Sequence, residues 1–396
     1  MHFALNQRNK SLFLTLRIFS ATGGIEKVSR VLGKALHELA NDHPGESLQI
    51  LSMYDEKYDL DEKYFPVSSF QGFGKRKLNF VCEATRRGIK SDRVILSHIN
   101  LLLVGFLIKI FSPKTKIVLL AHGIEVWGPL PFLKKYMLGK CDQVLAVSNF
   151  TKNRMISVHK LDEKKISVFN NCLDPFLQPP HNQGKNVELL QRYGLTNSNI
   201  VLVTLTRLSS KEQYKGYDNV LHVIKGLKEK FPLIKYLVIG KYDQAEKLRV
   251  DKLIDDLGLR DNIIFTGFIP DNELAAHYSI ADLYIMPSKK EGFGIVFIEA
   301  MYYGKPVIAG NKDGSVDAVN NGKFGLLVNP DDREEITGAI IKVINNGSSF
   351  IPDVQEVLKK FSYPVYKENL RKILDLAPNP RSAWVPGKPA ITEKGA

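Results

Sequence analysis

The feature that most constrains this chain is a rhythm that occurs twice: short aliphatic or β-branched runs separated by helical stretches. The first series comprises Leu12 to Ile18, Leu48 to Ser52, Arg93 to Ser97, Ile117 to Ala121, Gln143 to Val147 and Ile166 to Phe169, with a helical stretch from Glu26 to Ala40 after the first run. The second comprises Ile200 to Thr204, Tyr236 to Ile239, Ile263 to Thr266, Leu283 to Met286, Pro306 to Ala309 and Gly325 to Val328. Runs this short and this apolar fit strands buried on both faces, and strands alternating with helices imply parallel sheets. An α/β chain with two such units is therefore expected, and 396 residues is the length for two domains. Between the series, Asp174 to Gln183 carries Pro175, Pro179, Pro180 and polar residues, the composition of a linker. The expected division is a first unit over 1–175, a linker over 176–198 and a second unit over 199–360. A helix at about 361–376 is expected to pack back on the first unit, and the Pro- and Gly-rich tail 377–396 to be loosely held.

Several classes are set aside by composition. Arg8 and Lys10 ahead of Ser11 to Phe19 imitate a signal peptide, but Arg17 interrupts the apolar run, which reads better as a first strand leading to a glycine turn. Ile99 to Phe111 falls short of the ~20 residues of a membrane span and contains Lys109, so a buried helix is expected. Cys82, Cys141 and Cys172 are odd in number and scattered, which argues against a disulfide framework or zinc site and for a reducing, cytoplasmic setting. Asp59 and Asp61 lie in a polar loop without the strand-end context of a metal-bridging pair, so no metal is expected. Charge is uneven: residues 1–180 hold 26 Lys and Arg against 16 Asp and Glu, in a chain of net charge +13. Charge alone leaves nucleic acid, an anionic membrane and a phosphate-bearing acceptor open.

The stretch Pro287-Ser288-Lys289-Lys290-Glu291-Gly292-Phe293-Gly294 links an expected strand to an expected helix, Ile295 to Tyr303, which ends at Gly304 before Pro306. Glycines at such a junction bare the N–H groups of a helix N-terminus, a ready anion site. Seven residues separate Glu291 from Glu299, placing one carboxylate in the loop mouth and the other about one turn into the helix, so both can face one ligand. The bland alternative is a helix start with one Glu favouring the dipole and another on a solvated face. Gly23-Gly24 forms a similar turn after the first strand, where a diphosphate can approach bare amides or where nothing more than a turn is made. Arg207 and Lys215, with Gly216 behind them, offer fixed cations beside a pyrophosphate, or a solvated charged loop shared with Lys211 and Glu212. His122 ends a strand, where open sheets bind ligands, and is followed by Gly123; a structural histidine is the alternative.

EGFGIVFIEAMYYGKPVIAG, together with ATGGIEKVSR, AHGIEVWG, VSNFTKNRM, TRLSSKEQYKGYD and GNKDGSVDAVNNGKFGLLVNPDD, resembles the family 4 glycosyltransferases and their Glu-x7-Glu signature, over Ala21 to about Asp332. The resemblance implies the GT-B fold, two Rossmann-like domains facing each other across a donor cleft. It implies a retaining transfer of a hexose from a UDP- or GDP-sugar, without metal or other cofactor, to a glycan or lipid-linked acceptor. His122, Arg207, Lys215 and Glu291 would serve the reaction; Gly23, Gly24, Gly292, Phe293, Gly294, Ile295 and Glu299 would hold the donor, with Glu299 on the ribose; Glu125 and Trp127 would line the acceptor side. Asn170-Asn171-Cys172 departs from the common pattern, a proline and Asn-Gly, near the cleft. The segment Phe73 to Arg87, with Lys75, Arg76, Lys77, Arg86 and Arg87 among Phe73, Leu78, Phe80 and Val81, resembles the surface helix by which some members meet membranes. A peripheral enzyme on an anionic inner membrane face is the expectation, with no nucleic-acid partner. The other readings are a GT-B epimerase or phosphorylase, and a basic membrane- or nucleic-acid-binding protein without catalysis.

Overall fold

A computed structural model describes residues 9–43, 45–180 and 184–376; the tail beyond 376 and a few residues of the expected linker lie outside the described residues. The first sheet contains β1 (Asn9–Thr15), β2 (Glu46–Ser52), β3 (Phe70–Gly72), β4 (Arg93–Leu96), β5 (Lys116–Ala121), β6 (Gln143–Ala146) and β7 (Ile166–Val168), ordered β3-β2-β1-β4-β5-β6-β7. The second contains β8 (Ile200–Leu205), β9 (Ile234–Ile239), β10 (Ile263–Gly267), β11 (Leu283–Met286), β12 (Val307–Gly310) and β13 (Leu326–Val328), ordered β10-β9-β8-β11-β12-β13. Every pairing is parallel. Both sheets thus run outward from their first strand and then reverse, at β1/β4 and at β8/β11. Such reversal points open a crevice at the carboxyl ends of the strands, the usual ligand position in open α/β sheets.

Helices cover the first sheet as α1 (Gly24–Asp42), α2 (Lys77–Gly88), α3 (Leu102–Phe111), α4 (Ile124–Trp127), α5 (Phe132–Gly139) and α6 (Asn149–His159). Then come α7 (Val187–Arg192), α8 (Tyr217–Lys230), α9 (Gln244–Leu257), α10 (Leu274–Ile280), α11 (Ile295–Tyr302), α12 (Ser315–Ala318), α13 (Arg333–Asn346), α14 (Val354–Phe361) and α15 (Tyr363–Ile373). Side-chain alternation explains how one strand serves two layers: Phe13 of β1 joins the cluster of α1, whereas Leu12 and Leu14 join that of α2 and α3. The α1 cluster continues through Cys172 and Leu173 to Phe293, Phe361 and Tyr366, so apolar packing runs unbroken from one sheet's layer to the other's. α15 returns to α1, where Lys367 bonds Glu38 at 3.0 Å and Asp42 at 2.8 Å.

Three expectations change. β1 ends at Thr15 rather than Ile18, because Asp55 takes the backbone N–H of Ile18 at 2.7 Å and of Ser20 at 2.7 Å and draws the chain out of the sheet. Ile99 to Phe111 is a 3₁₀ turn followed by α3, and it is buried on one face only: Leu103, Ile110 and Phe111 stand in solvent. In the expected membrane segment, Phe73 and Phe80 are buried ring-on-edge at 5.4 Å, and Arg86 and Arg87 both pair with Glu83. Leu78 is its one strongly exposed large apolar side chain, so the segment lacks the insertion surface expected of it. Among the described residues no helix is long and apolar enough to cross a membrane.

Candidate functional site

Where the two sheets' strand ends face each other, α1, α8 and α11 begin at a glycine with no side-chain cap, Gly23, Gly216 and Gly294, as do the one-turn helices α4 at Gly123 and α12 at Gly314. Elsewhere Ser148, Asn186, Asp243, Asp332 and Asp353 cap α6, α7, α9, α13 and α14, whereas α2, α3, α5, α10 and α15 are uncapped but begin at residues other than glycine. A capping side chain consumes first-turn N–H groups; leaving them bare keeps a concentrated positive dipole end for an anion. The approach to α1 is from Gly24: a Cβ there would meet nothing within 4 Å, whereas one at Gly23 would meet the Glu26 carboxylate at 2.5 Å.

Glycine is also required where the halves touch. A Cβ on Gly292 would lie 1.8 Å from the His122 carbonyl oxygen, and one on Gly123 would lie 2.7 Å from the Gly292 Cα. The loop ahead of α11 therefore rests on the strand-end loop of β5 backbone to backbone. That loop is held from below by Asp313, whose carboxylate accepts from Ser288 Oγ at 2.7 Å, Glu291 N at 2.7 Å and Ser315 N at 2.9 Å. Burial pushes the Asp313 pKa up to about 6 against the opposing pull of these hydrogen bonds.

The structure brings Lys215 and Glu291 together as an ion pair between the loops after β8 and β11. Burial alone would depress the Lys215 pKa, but the Glu291 charge and hydrogen bond outweigh it and hold the ammonium above its ordinary value. Arg207 leans instead on Glu212 of its own loop, with more than half of its side chain exposed. Glu299, fully buried on α11, accepts from Lys27 Nζ of α1 at 2.7 Å, while its Oε2 has no hydrogen-bond partner. Lys27 in turn stands 4.0 Å from Asp271. Burial works against its charge, yet Glu299 and Asp271 together keep its pKa raised. A second tie between the halves runs from Asn149 Nδ2 to Asp317 at 2.6 Å.

His122 is nearly buried. Its Nε2 donates to the Ser97 carbonyl at 2.7 Å, its backbone N–H donates to Glu125 at 2.6 Å, and its ring lies 6.5 Å from that of His98. Burial lowers its pKa to about 4, so the imidazole is neutral at ordinary pH, and the bond to Ser97 selects the Nε2–H tautomer. Glu125 thus orients His122. Trp127, expected on the acceptor side, is a buried support: its Nε1 donates to Thr151 at 3.1 Å and its ring packs edge-on against Phe150 at 5.0 Å. Phe293, expected on the donor, is likewise buried and packs edge-on against Phe361 at 5.7 Å, holding the loop by packing. Ile295 opens α11 and is half-buried beside Lys27. Sequence reasoning missed Lys27, Asp313, Asn149 and Asp317. All four fall inside stretches that had drawn notice, but only the fold brings them to the cleft. Among the described residues, no three His, Cys, Asp or Glu side chains gather as a metal site would require.

Comparison with known proteins bears on this arrangement. The family model described as Glycosyltransferase Family 4 matches residues 22–175, and that described as Glycosyl transferases group 1 matches 188–363. A GDP-mannose-dependent alpha-(1-6)-phosphatidylinositol monomannoside mannosyltransferase of Mycolicibacterium smegmatis is 32% identical over 240 residues, covering 57% of this chain and 60% of the relative. Mannosylfructose-phosphate synthase of Agrobacterium fabrum is 28% identical over 208 residues, covering 51% of this chain and 45% of that one. Among solved structures, Anabaena HepE in complex with UDP superposes with a TM-score of 0.77 at 20% identity, covering 92% of this chain and 99% of the other. Sucrose-phosphate synthase of Thermosynechococcus elongatus gives 0.73 at 18%, covering 93% and 98%. At such identities the structural likeness speaks to the fold, which is the two-sheet GT-B arrangement.

Proposed function

The chain belongs to the family 4 glycosyltransferases, and from that premise we propose that it is a retaining hexosyltransferase taking its sugar from a UDP- or GDP-sugar bound between the two sheets. The observation that carries the reading is the meeting of the glycine-started, uncapped N-termini of α1, α8 and α11 with two ion-paired glutamates in one cleft. The bare amides of α1 and α11 and the cations Lys215 and Arg207 receive the diphosphate. Lys215 exchanges Glu291 for the leaving phosphate, which frees the Glu291 carboxylate to grip sugar hydroxyls. Glu299, with one oxygen unpartnered, accepts from the ribose. The acceptor hydroxyl attacks from the face the nucleotide leaves, and its proton passes to the departing phosphate oxygen. Fixed cations offset the negative charge that a metal would otherwise offset, so transfer continues in the presence of a chelator.

The name of the Mycolicibacterium relative makes GDP-mannose the first donor to try, and a lipid-linked acceptor in polysaccharide or glycolipid synthesis the first class to test. Three free thiols suit the reducing inner side of a membrane. The experiment is a melting screen against UDP-, GDP- and ADP-sugars, since a ligand bound only by the native state raises the melting temperature. Transfer kinetics of Lys215→Ala follow. Loss of a cation facing charge that develops in the transition state should lower kcat on the order of 10²-fold with the fold retained. Near-wild-type turnover at saturating donor would sink the assignment.

A further inference from the structure

α3 and α5 lie side by side, with Phe106 of one packed edge-on against Tyr136 of the other at 5.7 Å. Their outward faces carry Leu103, Ile110, Phe111, Phe132, Leu133 and Tyr136, each between 47% and 86% exposed. Leu103 and Ile110 are seven residues apart and so share one helix face, the face that also bears Phe106. Phe132 and Tyr136 are four apart on α5 and continue the same surface across the Phe106–Tyr136 contact. Isolated exposed apolar residues need no explanation, but six large ones on two adjoining helices form a contiguous patch that water alone does not account for.

The charge around this patch identifies its occupant. Lys114, Lys135 and Lys140 are exposed at its edges and, among the described residues, form no ion pair. Asp142, the nearby exposed carboxylate, is engaged by Lys109 at 2.8 Å. An apolar surface framed by lysines is complementary to an anionic lipid surface: aromatic and aliphatic side chains enter the headgroup boundary while the lysine stems reach outward to phosphate. A second copy of the same face is a poorer match, because a two-fold contact would set lysines against lysines. The patch also leads to the cleft. Lys134 donates to Asn100 Oδ1 at 2.7 Å, the Asn100 N–H donates to His98 Nδ1 at 3.1 Å, and His98 stands beside His122.

We infer that the α3–α5 face docks this protein on an anionic membrane with the His122 side of the cleft turned toward the lipid. The inference rests on the proposed function only in taking the acceptor to be lipid-linked. The location differs from the segment Phe73 to Arg87, whose aromatic rings are in the core.

The test is co-sedimentation with vesicles of phosphatidylcholine alone and of phosphatidylcholine mixed with phosphatidylglycerol. It compares the wild type with a variant carrying Ile110→Ser, Phe111→Ser, Phe132→Ser and Leu133→Ser, and with a second carrying Lys114→Glu, Lys135→Glu and Lys140→Glu. The wild type is expected to sediment with the anionic vesicles and not with the neutral ones. Both variants should keep its melting temperature and its donor-induced melting shift while partitioning at least about ten-fold more weakly. Variants that sediment like the wild type overturn the docking face. So does a wild type that ignores anionic vesicles and runs as a dimer that the serine variant dissociates. Absence of any donor-induced melting shift in the wild type would remove the transferase reading and leave the vesicle result standing.

Discussion

At Gly24 an added methyl group would meet no protein atom within 4 Å, so the structure itself gives no reason for glycine there. Under the proposed function the reason is a ligand approaching the bare amides of α1. Gly24→Ala should therefore leave the melting temperature unchanged or slightly raised, since a helical position loses less chain entropy with alanine. At the same time the donor KM should rise about ten-fold or more, because the methyl group occupies the space of the diphosphate. Steady-state kinetics beside a thermal melt decide it: an unchanged donor KM would show that the diphosphate lies elsewhere. Residue by residue, the sequence announced the glycines and the Glu291/Glu299 pair through their junction of strand and helix, but it concealed their partners. Lys27 reads in sequence as an ordinary helical lysine, and nothing local says that it reaches a glutamate 272 positions away. Asp313 was visible within GNKDGSVD, yet its role as the floor of the Glu291 loop depends on β12 lying beside β11. Trp127 and Phe293 were placed toward ligands by likeness, and packing turned both inward because large rings are most stable in the core.

At the scale of elements, α1 and α11 meet across the cleft, joined by the Lys27–Glu299 pair across the boundary between the halves. Removing one partner of a buried pair leaves the other charge without compensation, which costs on the order of 3 kcal/mol. Lys27→Met and Glu299→Gln should each lower the melting temperature. The double variant should be more stable than their sum implies, because the penalty of the stranded partner disappears. Additive losses would mean that the two side chains do not depend on each other. Glu299→Gln should also raise the donor KM more than it lowers kcat, since a ribose contact is alike in ground and transition states. The elements themselves were largely legible, because apolar runs of the right length mark parallel strands whatever the tertiary context. Their ends were less so. The departure of β1 at Thr15 is set by Asp55, a residue three positions past β2 whose carboxylate reaches back to the N–H groups of Ile18 and Ser20. α3 looked apolar all round but for Lys109, and a helix of that kind does not reveal which face the protein itself leaves uncovered.

At the scale of the whole molecule, the two sheets share an apolar seam, and Phe361 sits where the chain passes back from the second half toward the first. Its carbonyl accepts from Leu173 N at 2.9 Å, beside the earlier crossing of the chain, and its ring packs against Phe293 of the loop between β11 and α11 at 5.7 Å and Phe324 at 6.3 Å. Beyond it, Tyr366 lies against Phe169 of the first half with ring centroids 4.3 Å apart, and Arg93 reaches the Leu374 carbonyl at 2.8 Å. One buried ring therefore supports the return crossing and the loop that holds Glu291. Phe361→Ala should cost about 3–5 kcal/mol through the cavity it leaves, felt as a lower melting temperature. Because Phe293 loses its edge-on partner, the loop between β11 and α11 should also lose its fixed geometry, and the donor KM should rise although Phe361 itself is buried in the core. Phe361→Leu refills most of the volume and should restore donor binding along with most of the stability. The two readings separate by measuring donor affinity well below the melting temperature of each variant. If Phe361→Ala binds donor as tightly as the wild type there, the aromatic seam stabilises the fold without shaping the cleft, and the loop takes its geometry from Asp313 alone.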